Sequence, residues 1–405
     1  MMTPSRSQRL RRGKAPSEGF SLIELLVAMA VFLIIGSVSF TLFSKHQALL
    51  SEEQMTVGLN IGLRNALAQV QLDVVNAGNG LNVGGTNIPA WPVGVTIINS
   101  DPTPEQCFQA ATFNEAGALI SLPVYYAACF DQLNVVVVDP NTPPIHSCAA
   151  TGCSLVTSAG ATTTLNGQPP PPYTASQIYG NFHAGDKVLF VQSCSASGGH
   201  AAANSSGCMF TTAILAGVGA VNTSAPGCAA GCVNLTFNST LVGGGNNASN
   251  DPLGMTTNAP AAVLTDQYGP GDWVVRLLPI TYKVDATHVD STNEPDPQLI
   301  RTQAGVANAL MDQVIGFKVG AALWNNANTS TFQYNYNAAS YSTGFDPPGT
   351  NAYQYNLIRS VRVSIIGRTE PNPTNPFRNP FDSGPYQIRG SSIIVDPRNL
   401  TMNND

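Results

Sequence analysis

The hydrophobic pattern divides the chain into three stretches with different periods. From Phe20 to Phe43 the residues FSLIELLVAMAVFLIIGSVSFTLF are apolar on every face, and Glu24 is the one ionisable side chain among these 24 positions. At about 1.5 Å of rise per residue such a helix is about 36 Å long, enough to cross a hydrocarbon core of about 30 Å. From Lys45 to Ala77 the pattern turns amphipathic. Met55, Leu59, Leu63, Ala66, Leu67, Val70, Val74 and Ala77 recur at steps of three and four, while Glu53, Asn60, Arg64 and Gln71 occupy another face. No proline interrupts Phe20 to Ala77, and Asn76-Ala77-Gly78-Asn79-Gly80 supplies the glycine stop of a helix C-terminus. One continuous helix with a stripe to bury is therefore predicted over 20–78. Gly58-x-x-x-Gly62 is read as a place where it bends or frays, with close packing as the alternative.

Beyond Gly80 the chain is rich in Gly, Pro, Asn, Ser and Thr, with short β-branched runs between turn clusters. Val93–Ile98, Leu133–Asp139, Lys187–Gln192, Met209–Leu215, Val233–Phe237, Trp273–Val284, Val314–Val319, Leu357–Ile366 and Ser392–Val395 read as strands. Pro169 to Pro172 and the loops around Gly243–Asn250 and Asn325–Ser340 read as surface linkers. The pattern predicts an α+β chain: a long N-terminal helix packed through its amphipathic half on a β-rich head.

Composition narrows the function. With 43% hydrophobic residues the chain buries a core and is not disordered. Arg6, Arg9, Arg11, Arg12 and Lys14 cluster ahead of the apolar run, and without them and Glu18 the remaining 13 basic residues face 23 acidic ones. An acidic body disfavours nucleic-acid binding, which needs clustered cations against phosphates. The basic stretch also fixes orientation: it stays cytoplasmic, so the head is exported. Ala28-Met29-Ala30 imitates a secretory cleavage site that would leave Val31 first, but the apolar run continues past it without a polar break. A plain membrane anchor leaves the carboxylate of Glu24 unexplained, because an ionised group in lipid is costly and is usually retained for a partner.

Gly19-Phe20-Ser21-Leu22-Ile23-Glu24-Leu25-Leu26-Val27-Ala28, behind its basic leader, resembles the type IV prepilin signal. The resemblance implies removal of residues 1–19 by a prepilin peptidase between Gly19 and Phe20, N-methylation of Phe20, and retention of the apolar segment. It further implies that Glu24 pairs with the N-terminal amine of a neighbouring subunit, each buried charge supplying the other's missing partner. A second resemblance covers the chain more thinly. Leu72-Asp73-Val74-Val75-Asn76-Ala77-Gly78, Ile280 to Val284, Leu299-Ile300-Arg301, Val314 to Val319, Ile358 to Arg368 and Pro397 to Leu400 are similar to ordered motifs of PilW-like minor pilins. Arg359 and Arg362 read equally as solvent-facing charge or as interface residues. With these likenesses the expected domains are a leader over 1–19, the helix over 20–78, a β-rich cysteine-containing insertion over 79–270 and a C-terminal pilin β-sheet region over 271–405.

Cys107, Cys129, Cys148, Cys153, Cys194, Cys208, Cys228 and Cys232 all follow the membrane segment. An even count on the exported side reads as disulfides, with neighbours paired: Cys148 with Cys153, Cys228 with Cys232, Cys194 with Cys208 and Cys107 with Cys129. Zinc held with His146, His183, His200 or His288 is the alternative, and the spacings do not favour it. No G-x-S-x-G, H-E-x-x-H or Walker A sequence occurs, so no enzyme, metal or cofactor is expected. Asp285, Asp290, Glu294 and Asp296 form an acidic loop with the ligand chemistry of calcium but not its EF-hand spacing, and it reads as solvated.

The expected function is that of a minor pilin in type IV pilus assembly initiation or the tip complex. Its expected partners are prepilin peptidase, the major pilin, other minor pilins, the inner-membrane assembly platform and a tip adhesin. Its expected course runs from an inner-membrane precursor with a periplasmic head to the fibre or cell surface. A minor pseudopilin of a type II secretion system, and an exported adhesin or hydrolase using the same leader, are the alternatives.

Overall fold

A computed structural model describes residues 21–78, 94–100, 104–147, 163–191, 210–224, 227–237, 273–291, 293–323, 358–372 and 377–397. The chain divides into two units, Met1–Val57 and Gly58–Asp405. Helix α1, Leu22–Val75, runs through both. It continues unbroken through Gly36, Gly58 and Gly62, so the expected fraying at Gly58 and Gly62 does not occur.

In the first unit the apolar residues of α1 face outward all round, with Leu22, Phe32 and Phe40 each at least 74% exposed. Among the described residues α1 is the one helix long and apolar enough to cross a membrane. Its backbone groups are satisfied within the helix, as a hydrocarbon surrounding requires.

The second unit holds the amphipathic half. Leu59, Leu63, Ala66, Leu67, Val70, Val74 and Ala77 are buried in one core with strand residues, while Asn60, Arg64 and Gln71 stay exposed. Burial of each Leu or Val contributes about 1.5–3 kcal/mol relative to exposure, so the stripe docks this half of the helix on the head. The helix stops at Gly78, which takes the left-handed φ of +71° and donates its N–H to Val136 O at 2.9 Å. A Cβ on Gly94 would lie 2.3 Å from the Gly78 backbone nitrogen, so this crossing needs a residue without a side chain.

The strands of the first part of the head are β1 (Val95–Ile98), β2 (Phe108–Gln109), β3 (Thr112–Phe113), β4 (Leu119–Ser121), β5 (Val124–Tyr125), β6 (Gln132–Val138), β7 (Ile145–Ser147), β8 (Thr163–Gln168), β9 (Lys187–Val191), β10 (Phe210–Asn222) and β11 (Cys232–Phe237). The remainder are β12 (Trp273–Asp285), β13 (Gln298–Gln303), β14 (Val306–Met311), β15 (Val314–Leu323), β16 (Ile358–Arg368) and β17 (Ile388–Val395). Short helices α2 (Pro104–Cys107) and α3 (Ala175–Ile178) lie between them.

The 13-residue β12 organises the head. Along one edge it pairs with β7 and then β6, and along the other with β9 and then β13. Antiparallel pairing then closes on itself in the order β12, β7, β8, β11, β10, β9 and back to β12. This six-stranded ring leaves no free edge in that part of the sheet, which protects it from edge-to-edge association. Its core is separate from that of the helix: Ile145, Val188, Leu215, Val233, Leu235 and Val274 pack with α3. Strands β15, β16 and β17 form a second antiparallel sheet whose Phe317, Val319, Val361, Val363 and Ile365 join the helix core. Strand β12 thus draws its partners from earlier in the chain (β6, β7 and β9) and from β13 after it.

Candidate assembly site

The N-terminal turn of α1 is built by the tetrad Ser21-Leu22-Ile23-Glu24. The Ser21 N–H and O–H both donate to Glu24 Oε2 at 3.0 Å, and the Glu24 N–H donates back to Ser21 Oγ at 3.3 Å. This is a reciprocal capping box, in which serine and a carboxylate three residues on satisfy orphan N–H groups of the first turn. The carboxylate also lies at the positive end of the helix dipole. Glu24 is therefore bonded within its own chain, four residues beyond Phe20, on a helix end whose side chains are exposed. Gly19 and Phe20, the expected cleavage and methylation positions, lie outside the described residues.

At the other end of α1 a polar cluster fixes the helix to the head. Asp73 falls on the buried stripe and accepts from Arg301 Nε at 2.7 Å, Arg301 Nη2 at 3.2 Å and the Tyr282 hydroxyl. The hydrogen bonds to Asp73 hold the Arg301 guanidinium above its ordinary range, and burial followed by the Asp73 carboxylate pushes the Tyr282 phenol up. Asp131 forms a second node between sheets: its carboxylate accepts from Asn99 Nδ2 at 3.2 Å, Ser100 N–H at 2.8 Å, Val319 N–H at 2.8 Å and Lys318 Nζ at 3.1 Å. A third node joins Arg276 of β12 to Asp139 at 2.5 Å and to both oxygens of Asp186 at 2.8 and 3.1 Å.

A fourth node lies beside β16. Asp382 is buried and accepts from the Tyr125 and Tyr386 hydroxyls and from Asn379 Nδ2 at 2.7 Å. The Arg368 guanidinium sits 4.6 Å from the Tyr386 ring centroid and donates through Nε to Gln313 at 2.6 Å.

Several expectations change at this level. Cys228 and Cys232 form the expected disulfide, with Cα atoms 5.2 Å apart, at the start of β11. Cys107 and Cys129, another expected pair, are both thiols in this structure. Cys148, Cys153, Cys194 and Cys208 lie outside the described residues, as does His200. His146 stacks edge-on against Trp273, His183 faces Asp186 and His288 faces Asp296, a pattern of local partners. The acidic loop is not uniformly solvated. Asp296 is buried, taking the Gln313 N–H at 3.0 Å beside His288, whereas Asp290 accepts the Glu294 N–H at 2.9 Å and Asp285 is held below the usual carboxylate range by Thr287. Arg362 is half-buried, with its Nε buried and without a hydrogen-bond partner, rather than solvent-facing; the Arg359 side chain lies outside the described residues.

Sequence reasoning did not single out Asp73, Asp131, Asp139 or Asp382. For Asp73 a signal existed, since it stands on the apolar stripe at the spacing of Ala66, Val70 and Ala77. For the others the partners are far apart in sequence and nothing local marks them.

The architecture is α+β and type IV pilin-like: a long helix, apolar throughout its first part and amphipathic in its second, on a β-rich disulfide-containing head. Residues 15–40 match the family model described as the prokaryotic N-terminal methylation motif, which supports a pilin or pseudopilin type of protein and implies processing by prepilin peptidase within a pilus assembly system. No curated protein and no solved structure matches the chain.

Proposed function

We propose that this protein is a PilW-like minor pilin of a type IV pilus, acting in assembly initiation or the tip complex as an interaction protein rather than an enzyme. The observation that carries this reading is the methylation motif over residues 15–40 at the start of a helix whose far half is docked on a large β head. Cleavage after Gly19 leaves Phe20 as a methylated amine, and the basic leader keeps that end on the cytoplasmic side while the head enters the periplasm. The precursor is a single-pass inner-membrane protein, and the mature subunit leaves the bilayer through the assembly platform to join the major pilin and other minor pilins.

Glu24 is the assembly residue. In the lone chain its carboxylate is satisfied by Ser21. In the fibre the methylated amine of a neighbour replaces the Ser21 hydroxyl as its partner, so both buried charges are paired. Glu24→Gln leaves insertion and cleavage intact and reduces co-purification with the other minor pilins; undiminished complex formation with normal piliation removes Glu24 from this role. Deletion of the gene tests the function itself: loss of surface pili and twitching is expected, and loss of exoprotein release with intact pili reassigns the protein to a type II secretion pseudopilus. Mass spectrometry of the mature N-terminus finds methylated Phe20, and a chain beginning at Val31 overturns the prepilin reading.

A further inference from the structure

We propose that Cys107 and Cys129 form a dithiol that is oxidised to a disulfide after export, with Cys107 the thiol that first meets the oxidant and Cys129 the thiol that resolves it. The inference rests on the reading that the head is exported. Cys107 ends α2 and leads into β2, which pairs with β5 in the register Phe108 to Tyr125. The Tyr126 N–H donates to Cys107 O at 2.9 Å, and the chain then turns so that the Cys129 N–H donates to Tyr126 O at 3.0 Å. Those two bonds bring the second cysteine back over the first. The Cys129 thiol donates at 3.6 Å to Gln106 O, the carbonyl that adjoins Cys107. With α2 packed on the turn Ala127–Cys129, side-chain rotation about two adjoining cysteines is the movement needed to reach the bonding separation of about 2 Å.

The two thiols differ in access. Cys107 is half-buried and Cys129 is 8% exposed. Burial first, then the Cys107 thiol beside it, pushes the Cys129 thiol up to about 12. The thiolate is the attacking species, so the buried member is the poorer first nucleophile. The step is a thiol–disulfide exchange with an oxidised disulfide donor, either a protein dithiol oxidase or a small disulfide. Cys107 thiolate attacks one donor sulfur, forming a mixed disulfide and releasing the other donor sulfur as a thiol. Cys129 then loses its proton and attacks the Cys107 sulfur, forming the intramolecular bond and expelling the second donor thiol. Two protein thiols are oxidised, and the donor takes up the two electrons and two protons.

The bond ties α2 to the 3₁₀ turn Ala127–Cys129 beneath an aromatic corner, where Phe108 lies 5.6 Å from Tyr125 and 5.0 Å from Phe381 by ring centroids. It closes the segment that carries β3 and β4 into a loop anchored at both ends. Such a bridge restrains the unfolded chain and so resists opening of the corner.

The test uses the full chain, acid-quenched in its membrane fraction, alkylated, digested without reduction and read by mass spectrometry. A peptide joining residues 107 and 129, lighter by two hydrogens than the separate peptides, is the expected result. Alkylation of both residues while Cys228 and Cys232 remain bonded overturns the inference but leaves the exported head intact. Alkylation of all four overturns the export reading with it. The order of reaction is read from two variants: Cys129→Ser accumulates a mixed disulfide on Cys107, whereas Cys107→Ser leaves Cys129 reduced and protected until denaturation. Equal adducts on both variants overturn the assignment of the first thiol.

Discussion

Asp73 and Arg301, 228 residues apart in sequence, meet in a two-pronged ion pair at 2.7 and 3.2 Å between the last turn of α1 and strand β13. An aspartate near a helix C-terminus opposes the negative end of the helix dipole. The Arg301 guanidinium offsets that penalty, and the Tyr282 hydroxyl occupies a further lone pair of the carboxylate. Removing one member leaves a buried charge without its partner. Arg301→Met is expected to lower the stability of the head by about 3–5 kcal/mol, read as a shift in the denaturant midpoint of the full chain in detergent. The Asp73→Asn and Arg301→Met double variant loses less than the sum of the single losses. Strict additivity would show that the two side chains act independently.

The capping box gives a local prediction at the other end of the helix. Ser21→Ala removes the hydroxyl that both donates to Glu24 and accepts its N–H. The first turn loses about 1 kcal/mol, and its amides exchange faster in hydrogen-exchange measurements on the micelle-bound chain. The melting of the head is unchanged, because its core lies in the other unit. Unaltered exchange over the first turn would mean that Ser21 does not cap the helix.

Gly94 marks the crossing of the helix end and β1. A methyl group there meets the Gly78 backbone nitrogen at 2.3 Å and the Ala77 carbonyl carbon at 2.4 Å, and backbone cannot rotate aside as a long side chain can. Gly94→Ala is expected to destabilise the head by about 1–3 kcal/mol through overpacking. Gly180→Ala is the control, since a Cβ there has no atom within 4 Å. Equal midpoints for the two variants would contradict the close approach.

Acid sensitivity follows from Asp139. Burial works to raise its carboxyl, but Thr142, the Asn141 N–H and Arg276 together hold it below the usual carboxylate range. A group depressed in the folded state contributes stability above its unfolded value of about 3.9, and the contribution is lost as pH falls through the folded value. The denaturant midpoint therefore drops below about pH 4, while Arg276 stays charged throughout. Asp139→Asn lowers stability at neutral pH and gives a shallower fall in acid. An unchanged acid slope in that variant would place the sensitivity elsewhere.

Legibility in the sequence followed the range of the interactions. The helix was legible because a repeat of three and four marks its buried face within a few turns, and Leu59 to Ala77 are buried as that repeat requires. The apolar β-branched strands, such as Val314–Leu323 and Trp273–Asp285, were legible for the same local reason. Strands β2 to β5 have two or three residues each, too few for alternation to register. Strand β8 reads TTLNGQ and owes its place to pairing with β7 and β11 rather than to an apolar face. Ring closure through β12 depends on partners scattered from residue 145 to residue 277, and no local pattern encodes it. In the candidate site, Glu24 was conspicuous as a lone charge in an apolar run, whereas Asp131 and Asp382 acquire meaning only from distant donors.

The four-partner strand β12 also sets how the head responds to tension. Through Tyr282 on β12 and Arg301 on the adjoining β13, the end of α1 is bonded to a strand that has two partners along each edge. A pull on the helix reaches β12 at its β13-paired half and is shared at once between two rows of backbone hydrogen bonds. Load that would unzip an edge strand is instead spread over the β13 and β6 ladders together.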